Sequence, residues 1–134
     1  MGVVSKEIAE QEVIKWLDYK RVKDNTRESY KSAIEELQTA IELGELVLNE
    51  NFEFEQKLVF PVGNDSNIDK LVFKPRLNIG EIQKAMKGVK SDDAQGMVMS
   101  IVSALTVQTT GILKQLDTQD YGVCQNIALF FIPK

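Results

Sequence analysis

Phe52-Glu53-Phe54-Glu55-Gln56-Lys57-Leu58-Val59-Phe60 is the stretch on which the fold turns. Its even positions are apolar apart from Gln56, and its odd positions are mostly charged. A period of two means a half-buried strand. Just upstream the period is different. Tyr30, Ala33, Ile34, Leu37, Ala40 and Ile41 keep the i, i+3, i+4, i+7 spacing of an amphipathic helix, and Gly44 stands where a C′ residue belongs. Downstream, Gly63-Asn64-Asp65-Ser66-Asn67 is dense turn chemistry, Leu71-Val72-Phe73 gives a second strand, and Pro75 ends it. The pattern predicts a central antiparallel β-hairpin. Two strands alone are marginal, so its Phe face must pack on helices.

Helices are expected on both sides. Residues 5 to 23 read as one, with Ile8, Val13, Ile14 and Leu17 as a stripe widened by Trp16, and Lys20, Arg21 and Lys23 on the last turn. Asp24-Asn25-Thr26 separates it from the next, where Asn25 and Glu28 have capping-box spacing. So short a joint predicts a helical hairpin. After the strands, Asn78 and Glu81 again have cap spacing, and Ile79, Ile82, Ala85, Met86 and Val89 form one face. Ser91 is placed to cap a helix from Asp92 to about Val107, apolar on more than one stripe and so expected to be the most buried element. Thr109-Thr110 precede a short helical turn, Gly111 to Leu116. A last helix opens at Asp117, with Leu116 and Tyr121 at hydrophobic-staple spacing, and runs to about Phe131, with Pro133 as its stop. The expected fold is α+β and mostly α-helical: an N-terminal helical hairpin, a central antiparallel β-hairpin and C-terminal helices. It reads as a single domain, 1–134, in which 1–47 is a helical-hairpin appendage and 48–134 is the β-hairpin with its helices.

Composition narrows the function. Among 134 residues there is no histidine, so the usual general base and the commonest metal ligand are both missing. A single cysteine, Cys124, allows no internal disulfide and no thiolate cluster. The net charge of -4 argues against nucleic acid or an anionic membrane as partner. The N-terminus, Met1-Gly2-Val3-Val4-Ser5-Lys6-Glu7, offers no apolar leader, and the apolar runs fall short of the ~20 residues of a spanning helix. A cytosolic, non-catalytic binding protein with no cofactor and no metal is the expectation.

Particular constellations agree with it. Asp65-Ser66-Asn67-Ile68-Asp69 begins like a calcium loop, but Lys70 stands where glycine is needed and Arg76 where a bidentate Glu is needed. It reads as a polar turn. Asp92-Asp93 and Asp117/Asp120 could pair for hydrolysis, yet each pair lies at a helix start, where acids cap. Cys124 shares a helix face with Ile127, Ala128 and Phe131 and reads as an inert buried thiol. Lys15, Lys20, Arg21, Lys23, Arg27 and Lys31, interspersed with acids, read as a solvated face that could also meet an acidic partner. Ile127-Ala128-Leu129-Phe130-Phe131-Ile132 is apolar on every side. It is either a plug in the domain's own core or an interface, and Leu129, Phe130 and Ile132 are the candidate partner-binding residues. The same surplus could serve self-association as a homo-oligomer.

The second half of the chain carries a resemblance. Leu71-Val72-Phe73-Lys74-Pro75-Arg76 leads into Asn78-Ile79-Gly80-Glu81, then a long apolar helix, then Gly111-Ile112-Leu113-Lys114-Gln115-Leu116-Asp117-Thr118-Gln119-Asp120-Tyr121. This resembles the tail assembly chaperones of long-tailed bacteriophages, in particular the Mu-like group, over about residues 55 to 132. That family typically shows a strand ending in a basic residue and proline, a helix, and a closing Leu-Asp-x-x-Asp-Tyr helix start. It often has Thr-Gly after the long helix, whereas here Thr106 is followed by Val107 and glycine comes only at Gly111. The resemblance implies a small protein of the host bacterial cytoplasm that binds the tape measure protein and helps recruit tail tube subunits. A small structural tail or neck component of the virion, and a small protein-binding inhibitor, are the alternatives.

Overall fold

The computed structural model describes residues 4–132. Pro133, expected as the helix stop, and the first three residues of the N-terminus lie outside the described residues. The elements run α1 (Lys6–Tyr19), α2 (Asp24–Ser29), α3 (Lys31–Glu42), β1 (Leu46–Leu48), β2 (Phe54–Val62), β3 (Ile68–Phe73), α4 (Ile79–Ala85), α5 (Ala94–Thr106), α6 (Thr110–Leu113) and α7 (Thr118–Ala128). A 3₁₀ turn, Leu129–Phe131, continues α7. The fold is mostly α-helical α+β, as the periodicities predict.

Ser5 caps α1 by accepting from the Ile8 N–H at 3.2 Å. The helix stops at Tyr19 rather than near residue 23. Arg21 enters the left-handed region (φ 57), and the N–H groups of Arg21 and Val22 turn back to the carbonyls of Asp18 and Leu17. That is a Schellman turn made without glycine, so nothing in the local composition announces it. Arg27 secures the joint, donating through Nε to the Val22 carbonyl and through Nη2 to Asp18, both at 2.9 Å. The single second helix of the sequence reading is two pieces. Asn25 is not its cap, since α2 already begins at Asp24, and the helix breaks at Tyr30 (φ -107, ψ 28). The break sets the Tyr30 ring edge-on to Phe130, 5.3 Å between centroids. α3 ends as expected on Gly44 (φ 78), with a second Schellman pair from Gly44 and Glu45 to Ile41 and Ala40. The Val4 N–H donates to the Glu42 carbonyl, so the start of α1 lies beside the end of α3 and the pair is antiparallel.

The β-hairpin of β2 and β3 gains a third, antiparallel strand, β1, giving the order β1-β2-β3. β2 begins at Phe54, not Phe52. Phe52 sits in the preceding turn at φ 62, stacked on Tyr19 at 4.3 Å, and Asn49 holds that turn through the N–H groups of Asn51 and Glu53. Phe54, Gln56 and Leu58 face inward as the alternation predicts, but Phe60 is 52% exposed. The register between β2 and β3 shifts between Lys57 and Val62 and carries Phe60 outward, which corrects the expectation that every even position is internal.

One core joins the sheet to helices from both halves of the chain. Trp16 stacks obliquely on Phe54 at 4.8 Å, and Leu17, Leu37, Leu71, Phe73, Ile101, Leu105 and Ile127 surround them. Burying such side chains is worth about 1.5–3 kcal/mol each. Asn78 and Glu81 form the capping box expected at the start of α4. α5 starts two residues later than expected, because Asp93 rather than Ser91 accepts from the Gly96 N–H at 2.8 Å. It is the most buried of the longer helices, but strands β1 and β2 are more buried still. Only Ser100, Ile101, Val102, Leu105 and Thr106 are buried, while Met97, Val98 and Met99 remain half-buried. It ends on Val107, 74% exposed and left-handed at φ 56, ψ 39.

Candidate functional site

The apolar run at residues 127–132 meets the first helix. Ile127 and Ala128 are fully buried, and Phe131 nearly so. Trp16 receives both phenylalanines: Phe130 edge-on at 5.4 Å and Phe131 tilted at 6.1 Å. The plug is therefore real. It does not use up the segment, because Leu129, Phe130 and Ile132 stay half-buried and line a depression of about 320 Å³.

The opposite wall of that depression is cationic, built from Lys20, Arg21 and Lys23. Lys20, the residue after α1, folds inward one turn beyond Trp16. Its ammonium lies 3.4 Å from the centroid of Phe131 and 5.6 Å from that of Trp16. A cation over aromatic faces recovers part of the hydration it loses. Burial, and secondarily the nearby Arg76 charge, bring the Lys20 pKa down to about 8. Of the six residues expected to share one solvated basic face, several have thus separated. Lys15 pairs with Glu12 at 3.0 Å and Arg27 with Asp18 at 2.9 Å, whereas Lys20 and Arg21 turn to the depression. Position i+4 from Trp16 hinted at the Lys20 contact; its second ring, Phe131, comes from the far end of the chain.

The carboxylates are placed one by one. Asp93 and Asp117 cap helices, as expected. Asp120 lies in the first turn of α7, as expected, but it does not cap: its carboxylate turns to the sheet, which corrects the capping reading alone. Only 3% exposed, it accepts from the Val59 N–H at 3.0 Å and the Phe60 N–H at 3.1 Å. The register shift leaves those two strand donors in need of an acceptor, and Asp120 supplies it. Around it, Gln56 Nε2 donates to the Asp120 carbonyl at 2.8 Å and the Cys124 thiol donates to Gln56 Oε1 at 3.3 Å. Burial, then the Asp120 charge, push the Cys124 thiol well above its ordinary range, so it stays protonated. Gln56, 1% exposed, is the polar interruption in the strand pattern, and this network accounts for it. No buried side-chain polar atom among the described residues lacks a partner.

Asp65 and Ser66 both adopt positive φ in the turn after β2, and Asp69 lies in β3, so the calcium-like pentapeptide is hairpin turn and strand. Among the described residues no group of three or more Cys, Asp or Glu is placed to hold a metal ion, and no helix is long and apolar enough to cross a membrane. Comparison of the chain with protein-family models, curated proteins and solved structures found no match.

Proposed function

We propose that the protein is a tail assembly chaperone of a long-tailed bacteriophage, which binds the tape measure protein in the host cytoplasm and assists tail tube assembly without catalysis. The observation that carries this is the backbone at Val107. Chaperones of this family often have glycine directly after the long helix, and here the residue in that place takes the left-handed conformation that glycine favours. Val107 thus replaces the side chain at that place while keeping a backbone conformation open to glycine. Further support comes from the residues behind the resemblance. β3 runs to the basic Lys74-Pro75 end, Asn78 opens a capped helix, and Asp117 opens another. The client is an elongated, amphipathic helical protein, and the depression at Leu129, Phe130 and Ile132 offers it half-buried apolar surface.

Co-expression with the tape measure gene of the same locus is the test. The client should become soluble and co-purify; a client no more soluble with this protein than without it overturns the proposal. Mass spectrometry of purified virions should find the protein absent. Stoichiometric presence would make it a structural tail or neck component instead.

A further inference from the structure

We propose that the depression between the end of α1 and the final 3₁₀ turn is a receptor for an acidic amphipathic segment of a protein partner, whose carboxylates meet Lys20, Arg21 and Lys23 while its apolar side chains rest on Leu129 and Phe130. The partner's identity rests on the chaperone proposal; the chemistry of the bound segment goes beyond it. The chain as a whole is acidic, with a net charge of -4, yet this one wall is cationic. Its charge is not neutralised from within. None of the ion pairs among the described residues uses Lys20, Arg21, Lys23 or the neighbouring Arg76. Of the two acids that flank the wall in sequence, Asp18 is taken by Arg27, and Asp24, the first residue of α2, forms no ion pair with it.

Lys20 makes the case specific. Rings occupy one side of its ammonium, and the same side chain lines the depression. A half-buried cation without a counter-ion has given up part of its hydration, and a carboxylate delivered from outside offsets that loss. The depressed Lys20 pKa has the same cause and would rise again on binding. The apolar floor favours a peptide over nucleic acid, whose backbone would leave Leu129 and Phe130 uncovered while its phosphates used only the rim. An acidic helix matches both halves of the surface at once.

The test uses the full chain and the co-expressed tape measure protein. Arg21→Glu/Lys23→Glu changes two exposed residues, and Lys23→Glu alone is the second variant, since Lys23 sits at the start of α2 where an acid is tolerated. Circular dichroism and melting establish that both are folded. Charge reversal should lower client retention about tenfold or more, and wild-type retention should fall with added salt while that of the reversed variants does not. Exchanging acidic residues of the client for lysine should restore binding to the reversed variants. Retention by the folded variants equal to wild type, together with loss in Leu129→Ser, overturns the acidic-segment proposal and leaves the chaperone function intact. Failure of the wild type to retain the client overturns both. Retention abolished by nuclease would assign the wall to nucleic acid, and wild-type dimers dispersed by charge reversal would assign it to a second copy; either result overturns the proposal.

Discussion

The chain has two concentrated apolar runs, residues 97–107 and 127–132, and they end in different places. The shorter one is driven in. Ile127, Ala128 and Phe131 are buried and Trp16 is covered by two phenylalanines, while Leu129, Phe130 and Ile132 stay half-buried at the edge of the depression. The longer one, on α5, is buried only in its second half, from Ser100 to Thr106, and leaves Met97, Val98 and Met99 half-buried and Val107 exposed. What decides burial is what arrives opposite: Trp16 of α1 meets both phenylalanines of the C-terminal run and α3 packs along α7, whereas α5 shares its circumference among β3, α7 and the short helices α4 and α6. A hydrophobic run states a demand for cover, and the topology decides where it is met.

The contrast can be broken most directly by truncation. Phe131→Ala should cost about 3–5 kcal/mol, because it opens a hole beneath Trp16 and strips the ring from under the Lys20 ammonium, while Met99→Ala should cost only about 1–2 kcal/mol. Urea denaturation of the two variants checks it, and equal losses would erase the distinction between the runs. A smaller effect, of opposite sign, is expected at the end of α5. A β-branched residue in the left-handed region is strained by roughly 1–2 kcal/mol, so Val107→Gly should stabilise the protein by about 1 kcal/mol. Destabilisation would mean that the exposed valine packs on something after all.

A further effect concerns pH. Folding lowers the Lys20 pKa from 10.5 to about 8, so between those values the unfolded chain holds a proton that the folded chain has released. Stability attributable to Lys20 therefore rises with pH across that window. Measured against Lys20→Met, which keeps the stem over the rings, wild type should gain in relative stability from pH 8 to 10. A difference that stays constant with pH would show that the ammonium is fully hydrated.

How much of this was legible follows from how local each cause is. The stripe from Tyr30 to Ile41, the Gly44 ending, the Asn78–Glu81 box and the Asp117 cap are settled within a turn of helix, and the sequence displays them. β1 is three residues between a helix end and the Asn49 turn, too short to show a period. The break at Tyr30 accompanies its contact with Phe130, and the outward Phe60 accompanies a carboxylate sixty residues away. No window of neighbouring residues contains those causes. Of the candidate site, Leu129, Phe130 and Ile132 were visible as apolar surplus; the cationic wall was visible only as scattered charge, because its assembly needs the two ends of the chain together.

The Trp16 cage also bears on the order in which the molecule can be made. Its floor, Phe54, arrives when β2 forms, but its lid is Phe130 and Phe131, more than a hundred residues along the chain. A loop of that length closes late, since entropy must be surrendered before any contact rewards it. On a ribosome, α1 would therefore wait with its indole half bare until the last turn emerged. The ring that ends almost wholly covered, at 1% exposed, begins as the longest-exposed one.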